Sequence, residues 1–201
     1  MVNADLIKTL GSKLTATTSV ADRLVYSIRK ALDLKLSPLS MEKLGLLSDS
    51  DMEVMDAYLF RYGSLVSNIQ DSIFKSIGEI EQEPVSTMSN RDKTNLMERL
   101  GALPSAQAFA SLAVIRNKLM HEYPEEAEKH LERINFITKE APELVGIFIG
   151  IMRYANKFDI SISLEHCEHL LTFSNDLCNA CKTIPCVCAK GAPPPPRPKF
   201  R

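Results

Sequence analysis

The sequence predicts an all-α fold, on three observations. Apolar residues across positions 52–80 recur every three or four residues without a break, which is helical rather than strand periodicity. Other stretches of the same period are punctuated by Pro38, Pro84, Pro104, Pro124 and Pro142, residues that end or open helices. The alternating stretch at 159–163 is too short and too isolated to found a sheet.

Residues 4–34 read as the first helix. Leu6, Leu10, Leu14, Ala21, Leu24, Ile28 and Leu32 keep roughly helical spacing across a Thr-rich patch at 15–19, and Pro38 closes the segment. Ser50-Asp51-Met52-Glu53 has the form of a capping box and predicts the start of the longest helix. Its stripe runs Met52, Met55, Leu59, Tyr62, Val66, Ile69, Ile73, Ile77, Ile80 and stops near Glu83-Pro84. Such a stripe needs a long partner, in the same chain or in a second copy. A polar linker at 84–90 leads to a short helix at 91–100, with Gly101 where a left-handed cap falls. Pro104-Ser105 opens the next helix, whose apolar side is Phe109, Leu112, Ala113, Ile115, Leu119 and Met120.

Pro124 stops that helix and suits the first turn of another, in which Leu131, Ile134 and Ile137 lead up to Pro142. Residues 144–154 then predict a separate buried helix, and 164–177 a last one. From Cys178 the character changes to a Cys/Pro-rich basic tail, expected to be extended and mobile. The organisation is therefore an amino-terminal helical segment (1–49), a helical domain (50–156), an accessory helix (157–177) and the tail (178–201).

Charge is divided unevenly. The net charge is −1, yet Lys182, Lys190, Arg197, Lys199 and Arg201 follow Asp176 with no acid among them, which leaves −6 for residues 1–176. A basic tail on an acidic body suits an anionic partner or simply solubilises the chain. No apolar run approaches the ~18 residues of a membrane span. The start, Met-Val-Asn-Ala-Asp-Leu, lacks the basic and apolar regions of a signal peptide, so a cytoplasmic protein is expected. Five cysteines argue against a disulfide scaffold. Cys178, Cys181, Cys186 and Cys188 could bind zinc, with Cys167, His166 or His169 substituting, but the short loop between the pairs makes a tetrahedron tight. The other reading is a tail of reduced thiols, and no metal or cofactor is assigned.

The chemistry concentrates in Arg116-Asn117-Lys118-Leu119-Met120-His121-Glu122-Tyr123-Pro124. On a helix, Asn117 and His121 share a face, while Arg116 and Tyr123 lie on a neighbouring stripe about 100° away. Arginine is long enough for its guanidinium to meet the imidazole over a shared anion. Pro124 disfavours helix at Tyr123 and frees the phenol. A histidine moves protons near neutral pH, and a fixed guanidinium neutralises charge on a phosphate oxygen, so the set suits phosphodiester chemistry. The plain alternative is a helix end in which Glu122 pairs with Lys118 or Arg116.

The motif, an arginine followed by a polar residue and then a histidine after four intervening positions, resembles the signature of HEPN domains. The tyrosine two residues beyond the histidine is similar to the HepT-like toxin branch. The helix order agrees: a long helix with Phe60-Arg61-Tyr62 and Gln70-Asp71-Ser72-Ile73-Phe74-Lys75, a short helix, then the motif helix. The resemblance covers roughly residues 50–155. It implies an antiparallel helical bundle that forms a homodimer and cleaves RNA (tRNA among the candidates) without metal. His121 would be the acid/base, Arg116 the phosphate stabiliser and Asn117 the orienting residue, with the ribose 2′-hydroxyl as nucleophile. Tyr123 matches the position at which a partner nucleotidyltransferase antitoxin attaches adenylate. The chain carries no such transferase site, since Gly11-Ser12 and Gly63-Ser64 lack the paired aspartates. The expectation is a toxin or defence endoribonuclease. The alternative is a non-catalytic interaction or nucleotide-binding subunit in which Arg116 and His121 hold a phosphate without cutting.

Overall fold

A computed structural model describes residues 4–121 and 127–180. Its order is α1 (Ala4–Asp33), α2 (Met41–Leu44), α3 (Asp49–Ser67), a π-helical turn (Asn68–Ile73), α4 (Phe74–Ile80), α5 (Asn90–Leu100), α6 (Ala106–His121), α7 (Ala127–Ala155), a 3₁₀ turn (Asn156–Phe158) and α8 (Glu168–Ala180). No strand occurs among the described residues, so the all-α expectation holds. No helix among them is long and apolar enough to cross a membrane.

The predicted long helix exists as the column α3–π–α4. Its start differs by register: Ser48, not Ser50, is the cap, accepting from the Asp51 amide while Asp51 returns a bond to the Ser48 amide. Met52 is consequently outside the core at 41% exposure. The π turn was not foreseen; in it the Phe74 amide reaches Ile69 O, five residues back. Tyr58, Tyr62, Leu65, Ile69, Ile73, Phe74 and Ile77 of the column are fully buried.

The column's partner is α1, within the same chain. The two run antiparallel, with Arg61 on Ser27 at one level and Lys13 Nζ on Ser76 Oγ, 2.7 Å, at another. The Thr-rich patch does not interrupt α1: Thr17 and Thr18 are buried and return their hydroxyls to Lys13 O and Thr15 O. α6 also runs antiparallel to the column, with Phe109 against Phe74 and Arg116 against Ser67. Gly101 at φ 79° closes α5 with its amide on Glu98 O, the left-handed cap expected there. A second capping box, Ser89 with Asp92, opens α5. The α8 helix begins later than expected, at Glu168, where the buried Asp22 carboxylate of α1 accepts from the Leu170 amide, 2.9 Å.

Pro142 does not divide two helices; it lies inside α7. Proline at 142 removes the amide that would bond the Thr138 carbonyl. The buried Tyr58 hydroxyl donates to that carbonyl instead, 3.3 Å, from 80 residues away. Burial also pushes the Tyr58 phenol far above its ordinary pKa, so it stays a donor throughout the working pH range. The same stretch of α7 holds the 34–39 loop: Ser37 donates to Thr138 Oγ1 (2.9 Å), and Asn135 exchanges two 2.8 Å bonds with the Leu39 backbone. Tyr58→Phe is therefore expected to cost about 1–3 kcal/mol, the penalty of a stranded buried acceptor. In a Pro142→Ala background, where an amide is restored, the same change costs about 1 kcal/mol less. Urea titrations of the four proteins check this, and strict additivity would remove the explanation for the unbroken α7.

Candidate phosphate-binding site on α6

Three features place α6. Ser105 caps its first turn, its hydroxyl accepting from the Ala108 amide at 3.2 Å. Phe109 is fully buried on the Phe74 ring, centroids 5.0 Å apart at 55°. Tyr62 donates to Leu112 O, 3.1 Å, tying the column to the helix one turn before Arg116. The Tyr62 phenol is pushed far above its ordinary pKa, first by burial and then by Glu140, Tyr58 and Glu143, so it too remains a donor.

Arg116 is half-buried in the seam between α3 and α6. Its Nη2 donates to Ser67 Oγ at 2.5 Å and its Nη1 to Asn117 Oδ1 at 2.8 Å. Both of these partners are neutral, so they orient the guanidinium without neutralising it. Gly63 flanks the arginine stem; a Cβ there would meet Arg116 Cγ at 3.6 Å, ordinary contact, so glycine is not required at that position. Asn117, expected to orient the site, accepts from its neighbour's guanidinium, and its side chain is exposed. Ser67 was not anticipated. It sits 49 residues from Arg116, immediately before the π turn, and no local pattern marks it.

His121 is the last described residue of α6. The side chains of 118–121 fall outside the described ones, as do residues 122–126, which include Tyr123. Val114 is 50% exposed and Asn117 is exposed, and position 121 follows them on the same helical stripe. That face of α6 is turned away from the chain's own packing at 114 and 117.

The other candidates separate from this site. Cys167 is a free thiol buried in the core. The His169 ring lies against Tyr26, centroids 5.3 Å apart, and the exposed His166 is 3.6 Å from Glu165. Among the described residues no three His, Cys, Asp or Glu converge as a metal would need. Residues 181–201, with Cys181, Cys186 and Cys188, lie outside them, as does the Cys178 side chain. A carboxyl pair, Glu140 and Glu143, lies on α7. Burial, then a hydrogen bond and repulsion from Glu140, raise the Glu143 pKa. Comparison with protein-family models, with curated proteins and with solved structures gives no match to this chain.

Proposed function

We propose that the chain is a metal-independent endoribonuclease of the HEPN type, acting as a toxin or defence nuclease. One observation carries this reading. Arg116 is held by two neutral oxygens, Ser67 Oγ and Asn117 Oδ1, five residues before a histidine on the same helix. A guanidinium tied to a carboxylate would be spent structurally; one tied to hydroxyl and amide oxygens keeps its charge for a phosphate. The helix order supports it: a long column, a short helix and then the motif helix, arranged as an antiparallel bundle.

The chemistry follows from those groups. The ribose 2′-oxygen attacks phosphorus, the P–O5′ bond breaks, and a 2′,3′-cyclic phosphate and a 5′-hydroxyl are left. His121 takes the 2′-hydroxyl proton; the protonated form of an imidazole delivers one to the departing O5′. Arg116 stabilises the charge growing on the non-bridging oxygens. In a homodimer the two imidazoles would divide the base and acid roles. Because α1 already covers the column's apolar stripe, the second copy would meet α6 on the face that carries Val114 and Asn117, both exposed. Adenylate placed on Tyr123 by a partner nucleotidyltransferase would bring negative charge to the groove meant for RNA and silence it.

The test is direct. The purified protein is expected to cut structured and unstructured RNAs in the presence of EDTA, leaving 2′,3′-cyclic phosphate ends. A folded protein that is inert on all of them while binding a nucleotide would favour the non-catalytic subunit instead.

A further inference from the structure

On the α1 side of α3, away from Arg116, the seam between the two helices opens into a cleft of about 220 Å³. It exists because the residues lining it at Ser27 and Ala57 are too small to fill the gap. Around them stand the Tyr26 ring, Lys30, Glu53 and Arg61. The Arg61 Nη1 donates to the hydroxyl of Ser27, a residue 1% exposed. Arg61 is thus anchored by a buried neutral acceptor, with the remaining guanidinium donors and all of its charge left over. Lys30 adds a second cation, and neither of the two is ion-paired with Glu53 or any other described acid. Two cations and one acid in one small cleft give it net positive charge, and their unpaired state leaves them available to a ligand.

We propose that this cleft binds a phosphomonoester of about mononucleotide size. The phosphate sits between Lys30 and Arg61, where two cations can share its oxygens. Glu53 accepts from hydroxyls on the ligand's body and repels a second anionic group, which excludes di- and triphosphates. Tyr26, 38% exposed and braced by His169 on one side, offers its ring to a sugar or base. This site is independent of the ribonuclease reading, since it shares no residue with Arg116, Asn117, Ser67 or His121.

The experiment titrates the full chain with AMP, ribose 5-phosphate, inorganic phosphate and adenosine, following backbone amide shifts by NMR. AMP and ribose 5-phosphate are expected to saturate, with the shifts centred on Ser27, Lys30, Ala57 and Arg61. Adenosine, lacking the phosphate, is expected to bind at least about tenfold more weakly than AMP. Lys30→Gln, in the last turn of α1, should weaken AMP by about tenfold, since one charge-assisted contact is lost. Ala57→Leu should block binding by filling the cleft, with no change of charge. Shifts scattered over surface lysines, adenosine binding as well as AMP, absence of saturation by AMP, or AMP binding untouched by Lys30→Gln would each overturn the proposal. Because Lys30→Gln replaces a half-buried side chain with one of similar length, that arm stands even if Ala57→Leu perturbs the fold.

Discussion

His121→Ala is expected to slow RNA cleavage by about 10²–10⁴-fold, the range that a positioned general acid or base supplies. Its thermal midpoint should stay within the small range of surface substitutions, because position 121 follows Val114 and Asn117, both exposed, along one stripe of α6. Arg116→Ala should cost about 10²–10³-fold in rate through lost transition-state stabilisation. The more revealing change is Arg116→Lys. A lysine keeps the charge but cannot bridge Ser67 and Asn117 while facing a phosphate, so most of the loss persists. Rates measured under single turnover, with folding checked by circular dichroism, separate these effects from instability. An Arg116→Lys protein with full activity would mean that charge alone matters, and the bond to Ser67 would lose its assigned role.

Phe109→Ala is expected to destabilise the fold by about 3–5 kcal/mol, the cost of emptying a fully buried aromatic site. The loss includes the tilted contact with Phe74, which holds α6 against the column. Against a total of about 5–15 kcal/mol, this is a large share of the stability of the chain. Phe109 lies seven positions before Arg116, on the same face of the helix. The substitution therefore loosens the element that presents the guanidinium, and cleavage should fall through the unfolded fraction rather than through the chemistry. Urea titration gives the stability directly. A cost below about 1 kcal/mol would show that α6 is held in place by other contacts, Tyr62 on Leu112 O first among them.

Much of the bundle was legible because burial leaves a periodic trace. From Met55 to Ile80 every predicted stripe residue except Leu59 is buried, and Leu59 packs against the core as a half-buried residue. Gly101 was legible for a local reason, since a left-handed cap favours glycine. The start of α3 was less so. Ser48 with Asp51 and Ser50 with Glu53 offer the same cap pattern two residues apart, and local sequence does not choose between them. Pro142 was misread as a boundary because the donor that rescues Thr138 O, Tyr58, comes from a distant helix. The Ser67–Arg116 bond was invisible for the same reason: one polar contact between two helices leaves no mark on either one's periodicity. Within the candidate site, the placing of Arg116, Asn117 and His121 on one helix was readable, and what holds the arginine was not.

The cleavage chemistry is tested most directly by one measurement. An RNA oligonucleotide that the protein cuts in EDTA is resynthesised with a single 2′-deoxy nucleotide on the 5′ side of the cut. With the 2′-hydroxyl as nucleophile and His121 as its base, cleavage at that bond disappears while neighbouring sites are still cut and binding is retained. Cleavage at the deoxy position at the original rate would contradict the assignment of Arg116 and His121 to a 2′-hydroxyl transfer.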